Sequence, residues 1–224
     1  MNKLNILYED NHIIVVEKPV NILVQEDNTG DITLSQLIKE YLKNKYNKPG
    51  NVYLGLVHRL DRPVGGLMVF ARTSKASKRL SESIKNHEFK KNYLCVTKGV
   101  MKNEDTLINY IDRVGKKSII TDSKKGKYAA LKYTILETVD NLNLLKIELI
   151  TGRHHQIRVQ LANINNPLYG DQLYGEQDKE QIALYSYHLE FIHPVTKEVM
   201  NFTLLPKGKV WNKFKFITNG GRNE

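Results

Sequence analysis

The chain is built from short apolar runs that alternate with turn-forming residues. Each run is rich in β-forming residues, has the length of a β-strand and ends near Asn, Asp, Pro or Gly, which favour turns. Runs this short do not form membrane-spanning helices, which require roughly 20 consecutive apolar residues. We predict strands over residues 6–8, 12–16, 52–57, 67–71, 93–97, 131–138, 144–150, 187–192 and 199–205.

Helical spacing of apolar residues is confined to a few segments, and the first of them follows a capping-box pattern formed by Thr33 and Gln36. We predict helices over residues 34–42, 73–86 and 154–162. Many strands with few helices indicate an α+β fold with a mixed, largely antiparallel central sheet flanked by helices and loops. Because no linker rich in Pro, Gly or Ser divides the chain, we predict one domain over residues 1–224.

Positive charge is concentrated in the middle of the sequence. Residues 51–130 hold 17 Lys and Arg against 7 Asp and Glu, whereas the formal net charge of the whole chain is +10. Such a surface attracts a polyanion such as RNA, DNA or an anionic lipid. A lysine-rich solubilising surface would give the same count. Within this part, residues 101–127 are a polar, lysine-rich excursion that we predict as a hairpin or flap.

The cysteine content and the N-terminal residues indicate the cellular compartment in which the protein is expected. Cys95 is the only cysteine, which excludes an intramolecular disulfide framework and a multi-cysteine zinc site, and which fits a reducing environment. Glu9, Asp10 and Glu17 interrupt the region where a signal peptide needs an apolar stretch. We therefore expect a cytoplasmic protein without a membrane segment.

A first candidate site lies at His58-Arg59-Leu60-Asp61-Arg62, between two predicted strands and before a pair of glycines. Neighbouring cations keep a carboxylate ionised and hold it in place, as a nucleophile requires. A structural ion pair in a loop would give the same pattern, and the residues alone do not decide between the two.

A second candidate site follows the strand that ends near Gly152. Arg153, His155, Gln156 and Arg158 place several hydrogen-bond donors at the predicted start of a helix, which favours anions. This group could bind a phosphate or direct Arg158 at a carboxylate, and it could equally be a solvated helix turn.

Tyr93 is the third candidate. It lies at a predicted strand start after Lys90 and Lys91, either as a base or as a buried aromatic residue with a bonded hydroxyl.

Other reaction classes lack their motifs in this sequence. There is no P-loop, no dinucleotide-binding G-x-G-x-x-G and no G-x-S-x-G elbow. The histidines do not have a strong zinc spacing, and His154 and His155 should diverge if they lie on a helix. We therefore expect no metal site.

At the three candidate stretches the sequence resembles the RluA-type pseudouridine synthase family. The motifs that carry the resemblance are HRLDRPVGG from His58, KNYL from Lys91 and TGRHHQIRV from Thr151. Residues 6–19, 166–175 and 188–198 are also similar, so the likeness runs through almost the entire chain. Many members have Thr-Ser before the glycine of the first motif, where this chain has Val64-Gly65-Gly66. Few residues precede Ile6, so we expect no S4-type RNA-binding domain there.

The resemblance implies a pseudouridine-synthase-type catalytic domain that flips a uridine out of RNA and isomerises it to pseudouridine without cofactor or metal. It implies that Asp61 is the essential aspartate, Tyr93 the active-site tyrosine and Arg158 the basic residue that pairs with the aspartate. It also implies that Arg59 helps to fill the stack that the flipped nucleotide leaves. We assign to substrate and RNA binding the remaining motif residues, His58, Arg59, Arg62, Lys91, Arg153, His155 and Gln156.

We expect ribosomal or transfer RNA as the partner and a monomeric protein. Two other classes stay open, a catalytically inactive RNA-binding protein on the same scaffold and a metal-dependent nuclease that acts on RNA. The presence of Asp61, Tyr93 and Arg158 argues against the first. Insensitivity to a chelator would exclude the second.

Overall fold

A computed structural model of the chain describes residues 4–176 and 179–222. Its backbone contacts divide the chain into two compact units, which we describe separately. Unit 1 comprises residues 1–90 and 188–204, and unit 2 comprises residues 91–187 and 205–224. The assignment of residues 1–224 to one domain remains a prediction.

The described residues form eleven strands and four α-helices, with a short 3-10 helix at Trp211–Lys213. The strands are β1 (Asn5–Glu9), β2 (Ile13–Lys18), β3 (Gly55–Leu56), β4 (Gly65–Ala71), β5 (Lys90–Lys98), β6 (Glu104–Val114), β7 (Lys117–Thr121), β8 (Lys127–Val139), β9 (Leu142–Leu149), β10 (Leu184–Ile192) and β11 (Val199–Thr203). The α-helices are α1 (Leu34–Lys45), α2 (Ser74–Lys85), α3 (Gln156–Asn163) and α4 (Lys215–Thr218). The four α-helices and the largely antiparallel strands confirm the α+β class.

Unit 1 is a sheet with the strand order β1-β2-β4-β10, to which β11 adds beside β10 and β3 beside β4. All seven residues of β4 are buried, because this strand lies inside the sheet and carries no charged side chain. Its core includes Leu67 and Val69 of β4, Leu80 of α2, and the stacked rings of Phe89 and Phe191. The loop that carries the first candidate site enters the sheet through β4.

Unit 2 is an antiparallel sheet with the strand order β5-β9-β8-β6-β7. Helix α3 packs against β6 and β7. The buried side chain of Gln160 fixes this packing, since its amide donates to the Leu107 carbonyl (3.1 Å) and to Asn109 Oδ1 (2.8 Å). Val159 of the same helix packs on Ile111 and Ala129. The second candidate site therefore starts a helix that is anchored to the sheet.

Both α-helices of unit 1 begin at a threonine cap, and the capping box predicted at Thr33 is confirmed. Thr33 Oγ1 accepts from the Gln36 amide while the Thr33 amide donates to Gln36 Oε1, which completes the capping box of α1. Thr73 Oγ1 accepts from the Ala76 amide at the start of α2. The predicted hairpin within residues 101–127 is also confirmed, as β6 and β7.

Several predicted elements differ from the observed ones in their bounds, and two of them border a candidate site. Only Gly55–Leu56 of the strand predicted over 52–57 forms a pairing, with Ala71 and Phe70 of β4. The helix predicted from His154 begins at Gln156, because His155 has a φ of +51° and this left-handed backbone cannot continue a right-handed helix. No helix among the described residues is long and apolar enough to span a membrane.

Candidate active site

The Asp61 loop of unit 1 lies between β3 and β4 and is closed by a tight turn. The Val64 amide donates to the Asp61 carbonyl at 3.0 Å. Gly66 follows with a φ of +122°, a backbone conformation that side chains rarely adopt. The half-buried Asp61 is therefore carried on a turn whose geometry is set by its own backbone and by Gly66, the second residue of β4.

A buried lysine donates hydrogen bonds to the backbone of this turn. Lys18, at the end of β2, is fully buried, and its Nζ donates to the carbonyls of Pro19 (2.9 Å), Arg62 (3.0 Å) and Val64 (2.7 Å). Burial lowers the pKa of Lys18 to about 7. The negative charge of Asp61 opposes this shift but does not cancel it. Lys18 thus donates to two carbonyls of this turn, those of Arg62 and Val64, and to the carbonyl of its own chain neighbour Pro19.

The other residues predicted at this loop differ in their surroundings. Arg59 is exposed. Arg62 is half-exposed and pairs with Asp31, with 2.7 Å between Nη2 and Oδ2. His58 Nε2 accepts from the Val69 amide at 3.2 Å, and its ring lies 5.7 Å from that of Phe89. His58 is thus tied to β4 by a backbone hydrogen bond.

An open groove of about 1470 Å³ lies beside this loop in unit 1. Its wall is largely apolar and includes Ile22, Leu23 and Leu37, with Arg62 and Asp31 among the polar residues. This volume exceeds the roughly 300–1,000 Å³ of typical small-molecule pockets. The groove is a surface cleft that opens next to the Arg62–Asp31 pair.

Tyr93 and Lys91 lie on β5 in unit 2. Tyr93 is buried and faces Ile147 of β9 in the strand register. The amine of Lys91 lies against Gly152, such that a Cβ atom at Gly152 would be 3.5 Å from Lys91 Nζ. Burial lowers the pKa of Lys91. The second and third sequence motifs are therefore adjacent within this unit.

Arg158 is buried in α3 and forms a two-pronged ion pair with Asp171. Its Nε donates to Asp171 Oδ2 at 2.8 Å and its Nη2 to Oδ1 at 2.7 Å. Asp171 is itself buried and also accepts from the Leu173 and Tyr174 amides. Bidentate geometry fixes the plane of the guanidinium, so Arg158 is held in one orientation.

A polar network surrounds the start of α3. The Tyr174 hydroxyl accepts from the Ser118 amide of β7 (2.6 Å) and lies 2.9 Å from His155 Nδ1, while the Arg158 guanidinium lies over the Tyr174 ring at 5.2 Å. Burial raises the pKa of Tyr174, although the Ser118 amide and Arg158 act in the opposite direction. At neutral pH the Tyr174 hydroxyl is therefore protonated, and it can donate a hydrogen bond to His155 Nδ1. The network links the β6–β7 hairpin to Arg158.

His154 and His155 contradict the expectation that their rings diverge. The two rings stack with centroids 3.8 Å apart, because His155 is left-handed and neither residue lies within the helix. His154 Nδ1 and the His154 carbonyl both lie within hydrogen-bond distance of Ser118 Oγ. A left-handed non-glycine residue costs roughly 1–3 kcal/mol, and such strain is concentrated at functional sites.

Gln156 and Arg153 form hydrogen bonds to neighbouring segments of the chain. Gln156 is buried; its Oε1 accepts from Thr151 Oγ1 and the Arg153 amide, and its Nε2 donates to the Ala130 carbonyl at 3.0 Å. Arg153 is exposed, and its Nε donates to the Tyr128 carbonyl at 2.8 Å. Gln156 thus organises the turn before α3, while Arg153 leaves its terminal nitrogens at the surface.

Sequence reasoning missed Lys18, Ser118, Asp171 and Tyr174. Three of them lie in segments that gave a usable signal: Lys18 ends an apolar strand before a proline, and Asp171 and Tyr174 belong to the repeated L-Y-G of residues 168–175. Ser118 gave no signal, because a serine that follows two lysines is typical of an exposed segment. No group of three His, Cys, Asp or Glu side chains that could hold a metal ion occurs among residues 4–176 and 179–222.

A family model described as RNA pseudouridylate synthase matches residues 12–163. This range includes the Asp61 loop, Tyr93 and Arg158. The chain is 33% identical over 221 residues to the "Ribosomal large subunit pseudouridine synthase D" of Haemophilus influenzae, with 89% of this chain and 66% of the relative covered. It is 34% identical over 223 residues to an "Uncharacterized RNA pseudouridine synthase" of Aquifex aeolicus, with 90% and 69% covered. The chain therefore spans about two thirds of the length of these relatives.

Solved structures show the same fold. The human RNA pseudouridylate synthase domain containing 4 superposes with a TM-score of 0.76 at 21% identity, over 91% of this chain and 89% of that one. The human RNA pseudouridylate synthase domain containing 1 superposes with a TM-score of 0.73 at 22% identity, over 91% and 84%. At 21% and 22% identity, this likeness shows a shared fold and nothing further.

Proposed function

Since the chain belongs to the RNA pseudouridylate synthase family, we propose that it isomerises uridine to pseudouridine within RNA. The observation that carries the proposal is that Asp61, Tyr93 and Arg158 all lie inside the 12–163 match to the family. The reaction breaks the bond from C1′ to N1 of the uracil, turns the base and joins C1′ to C5. The proton on C5 leaves to solvent and N1 takes up a proton, so the product is an isomer of the substrate and no redox partner enters the balance.

In this proposal Asp61 acts on the sugar or the base while the glycosidic bond breaks. A carboxylate suits this role when it is ionised and positioned. Its turn is held by two hydrogen bonds from Lys18, to the carbonyls of Arg62 and Val64, and the adjacent Arg62 adds positive charge. Tyr93 serves as a proton acceptor and Arg158 as the cationic partner of the reaction.

The proposed substrate is a structured RNA, with ribosomal RNA of the large subunit first. The relative in Haemophilus influenzae carries that substrate in its name. Transfer RNA remains the alternative. An enzyme that acts on a stacked base must extrude it at a cost of a few kcal/mol, and lysine contacts to phosphate can offset this cost.

The test is Asp61→Asn, which removes the charge with little change in shape. We expect the purified variant to keep its fold and RNA affinity and to lose single-turnover release of tritium from 5-tritiated uridine in RNA. Asp140→Asn is the matched control, since Asp140 is an exposed carboxylate that pairs with Lys213 in unit 2. Its rate should equal that of wild type.

Substantial activity of a folded Asp61→Asn protein would overturn the assignment of Asp61. Mapping pseudouridines across cellular RNA with and without the gene would identify the target. If the wild-type protein binds RNA but leaves every uridine unchanged, the chain is the alternative, an inactive RNA-binding protein.

A further inference from the structure

Unit 2 exposes an apolar and aromatic patch on one face of its sheet. One face of β6, β7 and β8 is buried at Leu107, Ile111, Ser118, Ala129 and Leu131, and on the opposite face only the small Ala130, the partner of Ile108, is buried among these strands. The opposite face of a strand in a half-buried sheet is normally polar. Here it carries large side chains, which together with Ile150, the residue after β9 whose amide donates to the Ala130 carbonyl, we call the hairpin platform: Ile108, Tyr110, Ile119 and Tyr128.

These side chains are accessible and share one face. Ile108 is 56% exposed, Ile119 44%, Tyr128 45% and Ile150 47%. Tyr110 and Tyr128 are direct partners across β6 and β8, with ring centroids 6.1 Å apart and planes at 73°. A set of exposed apolar residues on one sheet face marks an interaction surface, whereas single exposed residues need no explanation.

The surroundings of the platform are strongly cationic. Residues 113–128, from the end of β6 through β7 to the start of β8, contain six Lys or Arg and one Asp or Glu. In the described part of the chain, no ion pair involves Lys116, Lys117, Lys124, Lys125 or Lys127. At the far end of the platform the lysines are already neutralised, since Lys132 pairs with Glu104 and Lys146 with Glu148. Unneutralised charge is therefore concentrated at the hairpin tip.

The platform is continuous with the third motif. Arg153 Nε donates to the carbonyl of Tyr128, so the exposed end of this arginine lies beside the platform. Ser118 of β7 joins the same hairpin to His154 and Tyr174. The strands that form the platform are thus hydrogen-bonded to the segment that leads into α3, the helix that carries Arg158.

We propose that the hairpin platform stacks an unpaired base of the substrate RNA, while the lysines of the hairpin tip contact the adjoining phosphates. Aromatic side chains on a sheet face, with cations around them, are the chemistry that recognises single-stranded RNA. A fully paired helix offers no free base face, so the occupant is a nucleotide in a loop or bulge. This inference rests on the proposed function and names the part of the substrate that unit 2 recognises.

The probe for the test is a short single-stranded RNA that carries one 2-aminopurine, whose fluorescence falls when the base stacks. Tyr128→Thr removes the ring and keeps a β-branched side chain suited to the strand. We expect it to bind the probe about 5- to 150-fold more weakly, the range for the loss of one base–aromatic stack. Tyr128→Phe should bind like wild type, and a duplex of the same sequence should bind all three proteins alike.

Ile108→Thr and Val199→Thr form a matched pair, since both replace an exposed residue in the middle or start of a strand. Val199 is 65% exposed on β11 in unit 1, outside the platform. We expect Ile108→Thr to weaken binding of the probe and Val199→Thr to leave it unchanged. Equal effects of the two changes would overturn the proposal.

Several outcomes separate the platform from the proposed function. If wild type isomerises uridine and Tyr128→Thr still binds and quenches the probe normally, the platform proposal fails and the function stands. If Tyr128 is needed for binding but wild type has no isomerase activity, the function fails and the platform stands. If wild type sediments as a dimer that Ile108→Thr dissociates while RNA binding is unchanged, the platform is an interface between two copies of the chain and the proposal is overturned.

Discussion

Arg158 and Asp171 show how a buried charge is made tolerable at the scale of single residues. Burying an isolated ion is costly, and a bidentate partner with further hydrogen bonds offsets much of that cost. Asp171 meets this requirement, because it binds the guanidinium with both oxygens and accepts two backbone amides. An arginine held in this way presents its remaining nitrogen in a fixed direction.

Arg158→Lys should therefore lower both stability and turnover. The ammonium of lysine cannot replace the planar fork, so Asp171 loses one of its two charge-assisted bonds. We expect a loss of about 1–3 kcal/mol in the free energy of unfolding by urea and a large loss of single-turnover rate. Arg153→Lys is the stability control, since that arginine is exposed. A normal rate in folded Arg158→Lys protein would leave Arg158 a purely structural role.

Tyr93→Phe separates a proton-transfer role from a packing role. The change keeps the ring and removes the hydroxyl, so RNA binding and stability should be preserved. If the hydroxyl is a general base, the single-turnover rate should fall by about 10²–10⁴-fold. Tyr133→Phe, another buried tyrosine of unit 2, should have the wild-type rate.

Tyr93→Ala should cost about 3–5 kcal/mol of stability in thermal or urea unfolding, as truncation of a buried aromatic residue does. A Tyr93→Phe rate within a few-fold of wild type would contradict the catalytic role, whatever the stability of Tyr93→Ala.

Sequence reasoning named the motif residues but not their partners. Asp61, Tyr93 and Arg158 stand in recognisable local patterns, so their positions could be read directly. Asp171 is 13 residues after Arg158, and Ser118 contacts Tyr174 from 56 residues away. Such partners depend on the path of the chain through the sheet, which no local pattern specifies.

At the scale of elements, Glu9 joins β1 to α1 and to the end of β4. Its buried carboxylate accepts from Tyr41 (2.9 Å), Lys45 (2.8 Å), Tyr46 (2.7 Å) and Arg72 (3.1 Å). Burial alone would raise the pKa of Glu9, but the hydrogen bonds from Lys45, Tyr46 and Tyr41 together lower it below its usual value. The proton is therefore bound more tightly in the unfolded chain than in the folded one.

This linkage predicts an acid sensitivity of unit 1. The stabilisation by Glu9 is fully present above the unfolded pKa of about 4.3 and is lost as pH falls through the lower folded value. We expect Glu9→Gln to reduce the free energy of unfolding at pH 7 by about 1–3 kcal/mol and by progressively less as pH falls below about 4. Urea unfolding across pH measures this. Glu40→Gln, an exposed change on α1, should keep the wild-type pH dependence; a constant deficit for Glu9→Gln at every pH would contradict the linkage.

Elements with a strong local signal were predicted well, and those defined by pairing were not. Helices α1 and α2 follow from their caps and from apolar spacing. The run at 52–57 looked like a strand, yet only Gly55 and Leu56 find a partner on β4. Helix α4 and the turn at Trp211 are too short for a periodic signal. The register that buries Leu107 and Ile111 within a lysine-rich segment was visible only once β6 was paired with β8.

At the scale of the whole molecule, the charge of +10 governs how the protein meets a polyanion. Each phosphate that a lysine neutralises releases counterions, so binding weakens with salt in proportion to the number of contacts. The charge is unevenly placed, and the β6–β7 hairpin and the following turn carry the lysines for which no ion pair is described. The hairpin should therefore account for a disproportionate share of the salt dependence.

Replacing Lys116, Lys117, Lys124 and Lys125 with glutamine tests this distribution directly. We expect weaker RNA binding and a plot of log Kd against log salt whose slope is smaller by up to about 3.6, since each of the four lost contacts removes about 0.7–0.9 from the slope. The single-turnover rate at saturating RNA should stay close to wild type, because the lysines bind and do not react. The control replaces four exposed lysines elsewhere, Lys39, Lys43, Lys207 and Lys209, and changes the net charge by the same amount. An equal flattening in both variants would mean that net charge alone sets the slope, and an unchanged slope in the hairpin variant would mean that its lysines form a solvated surface without RNA contact.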